Sequence, residues 1–309
     1  MAPEPAKVLV VGRSGQVASA LRAAAWPGFL ALEWRGRESL DLRRPEAVAE
    51  AVRTGGWAAV INAAAYTQVD RAETEREDAW AVNRNGPAAL AESCGRAGIP
   101  LIHLSTDYAF DGTKAEAYVE TDAVNPASFY GLSKAEGEAA VRDGTAAHVI
   151  VRTSWVFSPV GTNFVKTMLR LGRERKELRI VDDQRGRPTA AADIADAVSR
   201  ILAALLTGKS DGFGTFHFAG AGATSWHGFA REIFRQAALR GFAPVPAVTA
   251  IPTSAYPTPA RRPINSVLDT TRIERVYGIV PRRWEDALGE TLDALVRPAE
   301  STARKEVMR

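Results

Sequence analysis

Lys7-Val-Leu-Val-Val-Gly12-Arg-Ser-Gly15-Gln16-Val17-Ala18 is the stretch whose reading decides the fold. Its apolar run is too short for a helix and unbroken by polar residues, as in a strand buried on both faces. The Gly-x-x-Gly-x-x-Ala turn that follows opens a helix. Free backbone N–H groups and the positive helix end meet there, the arrangement that receives a pyrophosphate. Gly12 and Gly15 permit the tight turn, Gln16 and Val17 start the helix, and Ala18 in the third slot permits close packing. Glycine turns between strand and helix are common, so the reading depends on the alternation around it.

That alternation continues. Apolar runs at Lys7–Gly12, Phe29–Trp34, Ala58–Asn62, Ile99–Ser105 and His148–Arg152 are separated by Ala/Glu/Arg-rich stretches with helical spacing at 16–25, 45–55, 70–97 and 127–143. Strand–helix–strand order implies an α/β fold: a Rossmann-type doubly wound parallel sheet. After residue 154 the pattern turns to proline, glycine and aspartate clusters, as expected of a smaller C-terminal substrate-binding domain. The expected division is 1–154 for the dinucleotide-binding domain, with a helix at 190–206 and a strand at 214–218 returning to it. Residues 155–298 are expected to be mainly substrate-binding and 299–309 to be a frayed tail.

Composition excludes several classes. Of 309 residues, 46% are hydrophobic and 24% charged, ordinary for a globular enzyme and unlike disordered or coiled-coil chains. The surplus of three positive charges forms no basic stripe, so no nucleic-acid partner is expected. The lone Cys94 excludes an internal disulfide, is read as a small buried residue and fits a reducing compartment. His103, His148, His217 and His227 are scattered without metal-ligand spacing, and His103 reads as packed rather than catalytic. The first apolar run is too short for a signal segment and no stretch suits a membrane helix, so the expectation is a cytoplasmic protein without a membrane partner.

The second strand ends near Glu33-Trp-Arg35-Gly-Arg37. An acidic residue there would hold the ribose diol of NAD and an arginine the 2′-phosphate of NADP. Both are present, and Arg35 with Arg37 tilts the expectation to NADPH, with NADH as the alternative. Asp41-Leu42 follows at a spacing suited to an adenine contact. Asn62-Ala63-Ala64-Ala65-Tyr66-Thr67, after the third strand, has small side chains that let a flat cofactor lie on the backbone.

The fourth buried run ends in Ser105-Thr106-Asp107-Tyr108, and 24 residues beyond Thr106 stands Tyr130-Gly-Leu-Ser-Lys134. A tyrosine and a lysine at i and i+4 share a helix face. The lysine ammonium is expected to lower the phenol from about 10 towards working pH, so that it can give its proton to a carbonyl as hydride arrives. The Thr106 hydroxyl, at a neighbouring strand end, can bind the same oxygen. Glycine turn, Ser-Thr strand end and Tyr-x-x-x-Lys, in that order, resemble the extended short-chain dehydrogenase/reductase superfamily.

Within that superfamily the chain resembles the dTDP-4-dehydrorhamnose reductase family over nearly its whole length. The likeness rests on Gly12–Val17, Asn62–Asp70, Ser105–Phe110, Tyr130–Lys134, Arg152–Val156, Asn163-Phe164, Asp183–Thr189 and Arg261–Ser266. It implies a catalytic trio of Tyr130 as proton donor, Lys134 holding it and the nicotinamide ribose, and Thr106 tuning the site. It also implies that Thr106, Asp107 and Trp155 contact the deoxysugar, and that the loops containing Gln184 and Arg261 shape a nucleotide-sugar pocket. Some members carry carboxylates for a metal-bridged dimer; Ala20 and Ala192 stand where these would be expected, so no metal is expected, while a homodimer stays open. The implied reaction is reduction of the 4-keto group of dTDP-4-dehydro-β-L-rhamnose. Two alternatives remain at this stage: a reductase of another nucleotide-linked 4-ketosugar, or a cofactor-binding regulatory subunit resembling the methionine adenosyltransferase beta subunit.

Overall fold

The computed structural model describes residues 4–296. Strands β1 (Ala6–Val11), β2 (Leu30–Arg35), β3 (Ala59–Asn62), β4 (Leu101–Thr106) and β5 (His148–Thr153) join the strand Gly214–His217 in one sheet. Its order is Gly214–His217, β5, β4, β3, β1, β2, and every pairing is parallel. Burial on both faces explains the unbroken apolar runs. In β1, Val8 and Val10 join Leu21, Ile61, Val149, Ile194 and Phe216 on one side, while Leu9 and Val11 join Val48, Leu90, Cys94 and Ile150 on the other.

Helices α1 (Gln16–Ala23) and α2 (Pro45–Thr54) lie close to their expected bounds. The stretch 70–97, expected as one helix, is divided into a short 3-10 turn at Arg71–Glu73, α3 (Arg76–Trp80), a π-helical turn at Ala81–Asn85 and α4 (Gly86–Ala97). Pro87 has no N–H for the Asn83 carbonyl one turn back, which removes a bond that a regular helix would need there. Helix α5 (Phe129–Gly144) follows β4 and is capped by Ser128, whose hydroxyl accepts from Gly131 N at 3.2 Å.

Helix α6 (Phe164–Glu174) and the strand Glu177–Val181, paired in parallel with Ala247–Ile251, build a second core with the later helix α8 (Trp226–Ala238). Before α8, α7 (Ala191–Leu206) and Gly214–His217 return to the first unit, where Ile194, Val198, Ile201 and Phe216 pack on the sheet. Helices α9 (Thr271–Tyr277) and α10 (Trp284–Leu295) complete the described chain. Phe157, Val165, Leu178, Phe229, Ile233, Trp284 and Leu288 fill the second core. Helices therefore supply most of the core of this half, while its proline, glycine and aspartate clusters form the loops between them. The tail expected at 299–309 lies outside the described residues. Among the described residues no helix is long and apolar enough to cross a membrane.

Candidate active site

β1 sits between β2 and β3, so successive connections leave it in opposite directions and a crevice opens at the carboxyl ends of β1 and β3. Gly12 stands at that point with φ +115°, and a Cβ there would lie 3.0 Å from Ala63 C and Ala64 N. Only glycine allows both the backbone angle and the approach of the two loops. Gly15 is the N-cap of α1, makes no side-chain cap, and has nothing within 4 Å of where a Cβ would be. The first N–H groups of α1 therefore face an open cradle, which fits a dinucleotide pyrophosphate.

The other residues expected around that cradle divide. Ala63 is tied to β1 through its N–H to Val11 O at 2.8 Å, and Ala64 N–H donates to Asn62 Oδ1 at 3.1 Å. Ala65 is half-buried and Thr67 exposed, while Tyr66 donates its hydroxyl to Glu75 at 2.5 Å. Val17 packs against the sheet core. The Gln16 side chain turns to the second unit, donating to Val156 O at 3.3 Å and accepting from Ser158 and Asn163 at 3.2 and 2.9 Å. It leaves only its backbone to the cradle. Leu42 is buried in the core and Asp41 holds Arg43 at 2.6 Å, so both can meet an adenine only through remaining edges. Arg35 is paired with Glu33 at 2.7 Å. Sequence reasoning passed over Arg13, whose Cβ lies 3.2 Å from the position a Gly36 Cβ would take, beside the end of β2.

Thr106 ends β4 and Tyr130 lies in the first turn of α5, and both are buried. Thr106 Oγ1 accepts from Tyr108 N at 3.2 Å and donates to Asp107 Oδ1 at 3.0 Å. Burial pushes the Tyr130 phenol up to about 12, with the Thr106 hydroxyl opposing and Asp107 adding to the rise. Burial also pushes Asp107 up to about 6, against the nearby Ser266 hydroxyl and the bond from Thr106. Tyr108 lies edge-on to Tyr130 with centroids 5.5 Å apart.

Lys134 does not lower the phenol, because its side chain points elsewhere: Nζ donates to Leu104 O at 2.7 Å and lies 3.4 Å from His103 Nε2. Burial brings Lys134 itself down to about 8, with Glu138 opposing. The shared helix face is present; the electrostatic coupling expected from it is not.

Among the described residues, two buried polar atoms without a hydrogen-bond partner lie at the carboxyl ends of neighbouring strands: Asp107 Oδ2 and Thr153 Oγ1. Thr153 is the register partner of Thr106. Unsatisfied buried groups are rare enough to mark a place where a ligand supplies the missing bond. Sequence reasoning gave Thr153 no role, although it lies inside the quoted Arg152–Val156 stretch.

Trp155 has φ +47° and stacks on Trp226, centroids 3.6 Å apart, while Gly186 leaves the space that its indole fills. A non-glycine residue in the left-handed region is strained, and such strain concentrates at functional sites. Gln184 is committed to scaffolding: it accepts from Trp226 Nε1 at 3.2 Å and donates to Thr253 Oγ1 at 3.1 Å. Arg261 is exposed. Its neighbour Arg262 instead clasps Asp70 at 2.8 Å, tying the second unit's loop to the segment after β3. Among the described residues no group of three or more His, Cys, Asp or Glu is arranged to hold a metal ion. Cys94 is buried, its thiol pushed up to about 12 by burial.

Comparison with known proteins identifies the family. A family model described as the RmlD substrate binding domain matches residues 6–297. A dTDP-4-dehydrorhamnose reductase of Sinorhizobium fredii is 44% identical over 299 residues, covering 94% of this chain and 98% of that protein. The crystal structure of a dTDP-4-dehydrorhamnose reductase from Clostridium acetobutylicum superposes with a TM-score of 0.87 at 36% identity, covering 94% of this chain and 99% of the other. One from Bacillus anthracis, in complex with NADP, gives 0.84 at 32% identity over 93% and 98%. This chain belongs to the dTDP-4-dehydrorhamnose reductase family.

Proposed function

We propose that this chain reduces the 4-keto group of dTDP-4-dehydro-β-L-rhamnose to dTDP-L-rhamnose, a cell-surface polysaccharide precursor, with NADPH as preferred cosubstrate and NADH as the alternative. The observation that carries the reading is that Thr106 ends β4 while Tyr130 and Lys134 are buried on the helix that follows, the phenol bonded to Thr106 and Nζ to Leu104 O, with the open Gly12–Gly15 cradle at the same carboxyl end of the sheet. Relatives bearing that name, and a relative's structure with NADP, support the substrate class and the cosubstrate.

NADPH supplies the hydride to the sugar carbon. Tyr130 gives its phenolic proton to the carbonyl oxygen and regains one from water, so hydride and proton together make the alcohol. Its raised phenol keeps that proton at neutral pH. Thr106, turning its one hydroxyl proton from Asp107 Oδ1, donates a second hydrogen bond to the same oxygen, and Asp107 and Thr153 offer their free oxygens to the sugar hydroxyls. Trp155 walls the sugar, and Arg261 faces the diphosphate, since a guanidinium suits phosphate oxygens. Residues 1–154 with 190–218 hold the dinucleotide, and 155–298 mainly hold the nucleotide sugar. The chemistry needs no divalent ion, nucleic acid or membrane, and the buried lone thiol suits the cytoplasm.

NADPH oxidation is expected with dTDP-4-dehydrorhamnose, unchanged by a chelator, and slower with other nucleotide-linked 4-ketosugars. Stronger turnover with another ketosugar would move the substrate assignment. Absence of turnover with every ketosugar would favour a cofactor-binding regulatory role.

Arg35 and Arg13 flank the place where a 2′-phosphate would lie, but Glu33 already holds Arg35. NADPH should therefore be preferred only modestly, by about 1.5 kcal/mol or roughly tenfold in kcat/KM. Arg35→Ala and Arg13→Ala should each reduce the ratio; a ratio unchanged in both would make these arginines bystanders.

A further inference from the structure

Hydrogen-bond direction around Asn62, His103 and Lys134 is set by one group that cannot change its role. The Ala64 backbone N–H donates to Asn62 Oδ1 at 3.1 Å, and a backbone amide nitrogen only donates. The other end of that side-chain amide is then its NH2, which donates to His103 Nδ1 at 3.0 Å. With Nδ1 accepting, the single proton of a neutral ring sits on Nε2. That nitrogen lies 3.4 Å from Lys134 Nζ. An ammonium has three donors and no lone pair, so at Nζ it would face another donor, whereas a free amine could accept.

The surroundings do not undo this. Leu104 O accepts from Nζ in either protonation state. Glu138, one turn along α5, favours the ammonium, but its carboxylate is already occupied by Arg152, Arg142 and Ser105. Tyr130, one turn back, carries no charge at neutral pH. His103 is buried and held well below the usual imidazole range by burial, by Lys134 and by His148 on β5, so it stays neutral.

We infer that His103 is a positioning residue that loosens the hold of Lys134 on its proton in the cofactor-free chain, through an Nε2–H aimed at Nζ. This rests on the reading of Lys134 as a ligand of the dinucleotide ribose, whose hydroxyls would give the ammonium the acceptors it lacks. Dinucleotide binding is then coupled to proton uptake at Lys134.

The first test uses the cofactor-free chain and needs no turnover, so its outcome is independent of the proposed reaction. Two-bond 1H–15N spectra of the histidine rings, with His103 assigned by its absence in His103→Gln, should show a neutral Nε2–H ring that does not titrate through the neutral range. An Nδ1–H ring, or one that titrates there, would overturn the inference. The second test is NADPH affinity against pH, read by fluorescence. In the wild type it should weaken as pH rises past about 8. Asn62→Asp offers the ring an acceptor at Nδ1, which turns Nε2 into an acceptor for the ammonium, so the midpoint should move up by about one pH unit. His103→Gln can present its side-chain carbonyl to Nζ and should move it the same way. Weaker binding at every pH with an unmoved midpoint would reduce His103 to packing. If neither variant folds, His103 is assigned in the wild type by the nuclear Overhauser contact between its ring and the Asn62 side-chain amide, 3.0 Å away, and the spectra decide.

Discussion

Tyr130→Phe is expected to fold, to bind NADPH with near-normal affinity and to turn over at least about a hundredfold more slowly. The substitution keeps the ring that packs edge-on against Tyr108 and removes only the hydroxyl. What is lost is the donated proton, and a positioned general acid contributes roughly 10²–10⁴-fold. Thr106 remains able to hydrogen-bond the carbonyl oxygen, so activity should fall without vanishing. Single-turnover rates, with thermal unfolding as the control for folding, make the measurement. Turnover within a few-fold of wild type would remove Tyr130 from the mechanism, and Lys134 and Thr106 would lose their assigned purpose with it.

The second large effect is on stability. Glu138 on α5 is fully buried and accepts from Arg152 at 2.9 and 2.6 Å, from Ser105 at 2.5 Å and from Arg142 at 3.3 Å. Arg152 on β5 is itself buried, lies over Phe110 at 5.0 Å and reaches His217 Nε2 at 3.4 Å. Glu138→Gln nearly preserves shape but leaves the Arg152 charge uncompensated, which should cost roughly 3–5 kcal/mol. For a chain of this size that lowers Tm by about 5–8 °C. Replacing both partners, Glu138→Leu with Arg152→Met, should cost less than Glu138→Gln alone. Burial would raise the Glu138 carboxyl, but Arg152, Ser105 and Arg142 hold it below the usual carboxylate range. Its contribution is therefore present above the unfolded carboxylate value and lost as pH falls through the lower folded one. Wild type should lose stability on that acid side, and the advantage over Glu138→Gln should shrink with it. An unchanged melting temperature for Glu138→Gln would show that shape alone holds this part of the sheet.

The two halves differ in how openly the sequence announces them. The first is built from strands buried on both faces, so each reads as an unbroken apolar run, as at Val8–Val11 and Val149–Val151. The second mixes two-residue strands with helices of which only one face is buried, and its clusters of glycine, proline and aspartate mask them. Signals were nevertheless there: Asn163 caps α6 through Lys166 N, and Ser225 caps α8 through Gly228 N. The division of 70–97 turns on Pro87 and on the fit of Gly137 against the Asn83 carbonyl, a contact between residues far apart in the chain.

Chemical inventory and local order were in the sequence: the glycine turn after β1, Ser-Thr at the end of β4, and tyrosine and lysine one turn apart. These are short-range facts, set by strand alternation, helix periodicity and the φ available to Gly12. Where each polar head goes was decided only by the tertiary structure. Lys134 turns to Leu104 and His103 instead of Tyr130, Gln16 to Asn163, Gln184 to Trp226, and Arg262 instead of Arg261 takes the ion pair to Asp70. A long polar side chain has several reachable partners, and the buried group that must be satisfied settles the choice; those groups arrive from distant segments, so spacing along the chain carries no record of them.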